Sequence, residues 1–370
     1  MERLTPLAWQ RELWEQLLAW RPRLPHALLV HGTRGIGKRH LIKAFSQLLL
    51  CESSVDDMPC GHCAGCHLLA ADNHPDLRWL TPAAQMPART DVDESAGESP
   101  ALGINARSST VAKPGREIVI DQVRKTSDFL SVTSHRGGRR VVLLIPAEAL
   151  NDAAANALLK MLEEPPPATI FLAVTDDLDA VLATIRSRCL LLRSPIPTAL
   201  QAIDWLQSQG VSDASAKLAE AGGAPMGLVG GDRVDDAQNL DPALREVLLK
   251  LLLRGAALTG AEVASSIPKE VAVAPAIRLL QRWGWDLLAE RLGGRVRYYP
   301  TYQRQVANLA RTIEPSRVAD WAATLVQIQA TSDHPLNARL VVESALVDYI
   351  DTMRNAIRKR EPMRMERLNR

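Results

Sequence analysis

The chain has 370 residues, 46% of them hydrophobic, which is enough for two or three domains with cores of their own. A net charge of +2 and an aromatic content of 4% exclude a strong bulk field for nucleic acid or membrane, and argue against base stacking as the main activity. Met1-Glu2-Arg3-Leu4 carries no apolar signal core, no apolar run is long enough to span a bilayer, and four of the five cysteines cluster, so a cytoplasmic protein in a reducing compartment is expected.

Residues 5–20 place Leu7, Trp9, Leu13, Trp14, Leu17, Leu18 and Trp20 on roughly one face of a helix that covers a core, and Pro22 and Pro25 end it. The strand Ala27–Val30 runs into His31-Gly32-Thr33-Arg34-Gly35-Ile36-Gly37-Lys38. Gly32, Gly35, Gly37 and Lys38 have the spacing of a phosphate-cradling P-loop, in which backbone N–H groups and a helix N-terminus face an anion. The next position should be Ser or Thr, to hold Mg²⁺; it is Arg39, which cannot ligate a cation. This loop should therefore not support metal-dependent hydrolysis.

A helix through Leu41, Phe45 and Leu48 leads to Cys51, Cys60, Cys63 and Cys66, spaced C-x8-C-x2-C-x2-C. Two overlapping knuckles and a fourth thiolate describe a closed, structural zinc site, with His62 and His67 as substitute ligands. Free thiols and a nucleic-acid-gripping knuckle are the alternatives. His74–Leu80 enters a strand. Residues 82–116, rich in Pro, Ala, Ser, Gly and acids, read as a flexible insertion. Glu117–Ile120 resumes a strand, and Asp121 is expected to cap the helix through Val123 and Leu130.

Arg140–Ile145 reads as a central parallel strand. In a P-loop ATPase it should end in an acidic pair, for magnesium and for water; it ends in Pro146-Ala147, with Glu148 one step later. Asn151-Asp152 caps a helix that Glu163-Glu164-Pro165-Pro166-Pro167 stops. The strand Ile170–Val174 ends at Thr175. A further helix, Arg186-Ser187-Arg188-Cys189 and the strand Leu190–Leu192 follow. Strands alternating with helices predict a parallel sheet covered on both faces. Beyond Pro195 and Pro197 come two short helices and a glycine-rich stretch, Gly222–Gly227. Amphipathic helices then start near Pro242, Ala274, Ser316 and Asn337. Tyr298, Tyr299 and Tyr302 sit among Arg295, Arg297 and Arg304, as helix packing or as a base-stacking site. The tail Arg354–Arg370 has seven basic residues against two acids, either a phosphate contact or a solvated end.

Together these stretches resemble the delta-prime family of bacterial DNA polymerase III clamp-loader subunits, over most of residues 5–235. The resemblance is carried by Leu24–Leu29, the cysteine quartet, His74-Pro75-Asp76, Asn156–Pro166 and Ser187-Arg188-Cys189. It implies an α/β AAA+ P-loop core with the zinc module (1–195), a small helical lid (196–236) and an all-α C-terminal collar (237–370). It also implies a hetero-pentamer with motor subunits and a delta subunit, which opens the sliding clamp and places it on primed DNA at the replisome. Polymerase (nucleotidyltransferase) activity resides in that larger assembly, and no ATPase is expected of this chain. In the family, the Ser-Arg-Cys arginine, here Arg188, projects into a neighbour's ATP site. Thr175 falls at the first sensor position, and Met226 stands near the place of the absent second sensor arginine. The degenerate loop is not counted on to bind ATP; zinc is the cofactor implied. Two rival functions are an ATP-hydrolysing motor subunit, opposed by Arg39, Pro146 and Ala147, and a zinc-dependent nucleic-acid-binding protein, opposed by the near-neutral charge.

Overall fold

The computed structural model describes residues 3–85, 115–136, 138–229, 240–330 and 337–354. Most of the insertion expected at 82–116, and the basic tail beyond Arg354, lie outside the described residues. The chain divides into two compact units: Met1–Ala202 with Ala224–Met226, and Ile203–Gly223 and Gly227–Val229 with the C-terminal helices.

In the first unit five strands form one parallel sheet: β1 (Ala27–His31), β2 (Leu77–Leu80), β3 (Arg140–Leu144), β4 (Thr169–Thr175) and β5 (Leu190–Arg193). Their spatial order is β2-β3-β4-β1-β5. The register pairs Leu28 with Leu172 and His31 with Thr175, so β1 and β4 end side by side. Successive side chains leave opposite faces of a strand, and the core divides accordingly. Leu28 and Val30 pack with Val141, Leu143, Leu172 and Val174, under α1 (Arg11–Trp20) and α2 (Lys38–Leu50). Ala27 and Leu29 pack with Val142, Leu144, Phe171 and Ala173, under α4 (Ile120–Ser131) and α5 (Asp152–Glu163). A short helix, α3 (Ala64–Ala70), lies in the cysteine segment. The two-faced burial expected from unbroken apolar runs holds for β1, β3 and β4. It fails at β5, an edge strand whose Leu190 and Leu191 stay about two-fifths exposed, at 39% and 41%.

Two local expectations are corrected. Glu117–Ile120 is not a strand. Ile118 makes a single bridge with Leu150, and α4 begins at Ile120. Asp121 does not cap α4. The cap residue is Val119, whose N–H donates to Gln122 Oε1 at 3.0 Å, leaving Asp121 in the first turn, where its charge complements the helix dipole. The cap on α5 is as expected: Asn151 Oδ1 accepts from Ala154 N at 2.9 Å.

After α6 (Ala183–Arg186) and β5, α7 (Ala199–Ser208) crosses into the second unit, which continues with α8 (Ala214–Glu220), α9 (Pro242–Leu253), α10 (Gly260–Ser266), α11 (Val273–Arg291), α12 (Gln303–Ala310), α13 (Pro315–Ala330) and α14 (Ala338–Arg354). Asp241 Oδ2 caps α9 by accepting from Leu244 N at 3.1 Å. The core joins Leu248, Leu252, Ile277, Leu280, Trp283, Trp321, Leu325, Leu346 and Tyr349. Two of its buried polar tips are paired, Trp321 Nε1 donating to Ala345 O (3.0 Å) and Tyr349 OH to Leu252 O (2.7 Å), whereas buried Trp283 Nε1 has no hydrogen-bond partner among the described residues. The tyrosine–arginine loop serves packing. Tyr299 is buried, Arg282 and Arg297 lie over the Tyr298 ring, and buried Asp286 accepts the backbone N–H groups of Arg297, Tyr298 and Tyr299.

Candidate functional site

The P-loop joins β1 to α2, at the end of the sheet where β4 also stops. Its backbone needs the glycines. Gly35 (φ 74°) and Gly37 (φ 91°) lie in the left-handed region. A Cβ on Gly37 would stand 2.5 Å from Leu7 Cδ1, and one on Gly35 2.8 Å from Ala224 Cβ. Neighbouring side chains and backbone pin the loop. Trp9 Nε1 donates to Ile36 O (2.9 Å), Gln10 Nε2 to Gly37 O (2.8 Å), and Met226 N to Gly35 O (3.1 Å).

Lys38 does not reach outward. Its side chain is 3% exposed, and its Nζ donates to Gly32 O (2.7 Å), Thr33 O (2.7 Å) and Asp176 Oδ1 (2.5 Å). An ammonium has three donors, so all three are engaged. The second Asp176 oxygen lies 3.6 Å from Arg34 Nε. Burial draws the Arg34 guanidinium below its ordinary pKa, against the opposing charges of Asp176 and Glu148. Burial, then Arg193 and Lys38, lowers His31. Arg39, in the magnesium-ligand position, donates to Gln85 Oε1 at 3.0 Å.

Pro146 and Ala147 follow β3, and Ala147 begins a 3₁₀ turn, Ala147–Ala149. Neither side chain can ligate a cation or orient water. Glu148 turns to β4's end, where its Oε1 accepts from Asp176 N at 3.1 Å. The hydroxyl of Thr175, fully buried, is used locally. It donates to Asp177 O (2.7 Å) and accepts from Asp177 N (3.1 Å). Arg188 lies between α6 and β5 with its side chain 34% exposed. It donates to Thr184 O at 2.9 Å and to Ser187 Oγ at 3.3 Å, and forms an ion pair with Glu163 at the end of α5.

The four cysteine sulfurs converge, all within 4.8 Å of one another. Cys51 and Cys63 Sγ are 3.9 Å apart, as are Cys60 and Cys66. Four ligands about 2.3 Å from one tetrahedral ion would sit at close to this separation, so the donor set fits a closed zinc site. Backbone amides support the sulfurs: Cys60 N donates to Cys51 Sγ (3.3 Å), Cys63 N to Cys60 Sγ (3.3 Å) and Cys66 N to Cys63 Sγ (3.4 Å). The hydrogen bond from Ser53 holds Cys60 down at about 5, while burial pushes Cys51 and Cys66 up. Neither histidine joins the cluster: His62 Nδ1 lies 3.0 Å from Cys60 O, and His67 is exposed.

A family described as "DNA polymerase III, delta subunit" matches residues 10–196, taking in the P-loop, the cysteines and Arg188. A DNA polymerase III subunit delta' from Pseudomonas aeruginosa is 38% identical over 224 residues, 59% of this chain and 58% of that one. The chain belongs to the delta-prime family of DNA polymerase III subunits. A delta-prime relative from Escherichia coli is 35% identical over 244 residues, 64% of each chain. A DNA polymerase III subunit tau/gamma from Haemophilus influenzae is 32% identical over 168 residues, 45% of this chain and 20% of that one. The chain thus spans about three-fifths of the length of the two delta-prime relatives (58% and 64%).

Within that delta-prime frame, the structure adds residues that sequence reasoning missed. Asp176 follows Thr175 and is 138 residues from the lysine it meets; the only signal was an acid at the end of an apolar run. In His74-Pro75-Asp76, buried Asp76 accepts His135 N (2.8 Å) and Arg136 N (3.1 Å), fixing the turn before β3. His74 Nδ1 accepts from Asp76 N at 3.1 Å, and Arg136 reaches Glu52 at 2.6 Å. The motif therefore ties the cysteine segment to the sheet.

Proposed function

We propose that this chain is the delta-prime subunit of a bacterial clamp loader, working as its non-hydrolysing stator. It joins motor subunits and a delta subunit in a hetero-pentamer that opens the sliding clamp and sets it on primed DNA. Residues 1–195 form the AAA+ body, 196–236 the lid and 237–370 the collar that holds the ring. Zinc held by Cys51, Cys60, Cys63 and Cys66 stiffens the lobe containing residues 51–66, and the site of action is the cytoplasmic replisome.

The observation that carries this reading is the loss, beside one P-loop, of the magnesium-binding hydroxyl and of the acidic pair at the end of β3. Arg39 stands in the hydroxyl position and contacts Gln85, and Pro146 and Ala147 replace the acidic pair at the end of β3. Phosphoryl transfer needs that metal shell. The chain also matches delta-prime relatives over more residues than the tau/gamma relative, 224 and 244 against 168, which favours the stator over the motor rival. The purified chain is expected to show no ATPase activity, and Arg39→Thr alone is expected to restore none. Magnesium-dependent turnover above that of Lys38→Ala would overturn the reading.

Arg188 acts in trans, on the neighbouring motor subunit's ATP. Its partner Glu163 is half-exposed, and such surface pairs are worth roughly 0.2–1 kcal/mol. Little therefore opposes its release toward a phosphate charge.

A further inference from the structure

We propose that Asp176 is the latch of the P-loop: its carboxylate occupies the place a phosphate would take on Lys38, and removing its charge opens the loop to a polyphosphate group. The inference rests on the non-motor reading and goes beyond it. Missing magnesium ligands explain a failure to hydrolyse; they do not explain a failure to bind, because a P-loop holds phosphate through its backbone amides and its lysine.

The geometry supplies that second reason. Two of the lysine's three donors are bound by the loop's own carbonyls at 2.7 Å, and the third by Asp176 at 2.5 Å. A phosphate approaching Nζ must displace an anion already there. That anion is preorganised. Asp176 is next to the last residue of β4, in register beside β1, and its N–H is held by Glu148 at 3.1 Å. An intramolecular, prepositioned ligand outcompetes a free one at ordinary concentrations. Asp176 also lies 3.6 Å from Arg34, so one carboxylate neutralises both cations of the loop. It is not walled in. Its side chain is 35% exposed, whereas that of Lys38 is 3% exposed, so the carboxylate has a route outward and the lysine has none. Once the charge is removed, Lys38 and Arg34 stand beside the amino terminus of a 13-residue helix, whose first-turn amides have no partner within the helix. Glu148 remains as the opposing charge.

The test measures binding of ADP, and separately of inorganic pyrophosphate, to the full-length chain by calorimetry and by ligand-induced shift of the melting temperature. Wild type is compared with Asp176→Asn, Asp176→Ala and Asp176→Asn combined with Lys38→Ala. Asn keeps an acceptor for Lys38, so this variant folds even where Ala weakens the fold by leaving the lysine without an anion. The expected result is binding by Asp176→Asn at least about tenfold tighter than by wild type. That gain is lost in the double variant. An equal gain for ADP and pyrophosphate assigns recognition to the phosphates, and a larger one for ADP adds a base contact; both support the latch. Equal affinity in wild type and folded Asp176→Asn would overturn it, as would a gain that survives Lys38→Ala. Turnover of ATP by wild type is a different outcome and sinks the stator reading instead.

Discussion

At the residue scale, two buried polar side chains do work that composition hides. Asp76 is buried and accepts two backbone amides, so Asp76→Ala removes both hydrogen bonds. His135 and Arg136 are exposed, so water takes up their amides; at about 0.5–1.5 kcal/mol for each hydrogen bond lost, the loss should be about 1–3 kcal/mol, read as a lower urea midpoint with an unchanged slope. An unchanged midpoint would remove Asp76 from the framework. His74 gives a pH signature. Burial lowers its pKa below the ordinary 6.5, against the nearby Asp76 charge, so the folded chain keeps it neutral. Below pH 6.5 the unfolded chain takes up a proton that the folded one resists. His74 therefore contributes full stability above that pH and loses it as pH falls through the window beneath. His31 shifts the same way, so the difference between wild type and His74→Gln isolates one group. Wild type should lose more unfolding free energy than His74→Gln between about pH 7 and about pH 5.5, and equal losses would contradict the assignment. The motif's residues were visible in the sequence, but its role was not. Asp76 bonds to amides about 60 residues away, a relation no local pattern encodes.

At the element scale, the strands that dominate the core were legible because they are short, unbroken and apolar: β1, β3 and β4 lie where those runs lie. Glu117–Ile120 looked the same over four residues, yet Gln122 reaching back to Val119 starts a helix there instead. Short helices such as α10 and α12 escaped notice, since seven or eight residues show barely two turns of periodicity. The cysteine module was fully legible as a donor set, because ligand spacing is local. Its prediction follows from coupled folding and binding. A structural zinc site is worth on the order of 10 kcal/mol, and Cys63→Ser removes both a ligand and the sulfur that accepts from Cys66 N. Wild type should carry close to one zinc per chain, and Cys63→Ser should show a lower metal content and faster proteolysis between residues 51 and 66. Absence of zinc from metal-replete wild type would end this reading.

At the scale of the whole molecule, the chain is two compact units, and among the described residues no helix is long and apolar enough to cross a membrane. That the P-loop lacks the usual hydroxyl and acidic pair was readable from Arg39, Pro146 and Ala147 alone. That its lysine is also engaged from within required the fold, because β1 and β4 become neighbours only in the sheet. Arg188 was singled out by its triplet, and the structure adds its pair with Glu163, which a role in trans would require it to leave. The most direct test of the stator account reconstitutes the clamp loader from its purified subunits with wild-type chain, without it, and with Arg188→Ala. DNA-stimulated ATPase and clamp loading are then measured alongside assembly. Omission should abolish loading. Arg188→Ala should assemble normally yet hydrolyse and load more slowly, by less than the roughly 10³–10⁵ an arginine finger is worth at a single site, because only one site in the ring loses it. Full loading without this chain, or normal rates with Arg188→Ala, would contradict the account; failed assembly with the variant would return Arg188 to a structural role beside Glu163.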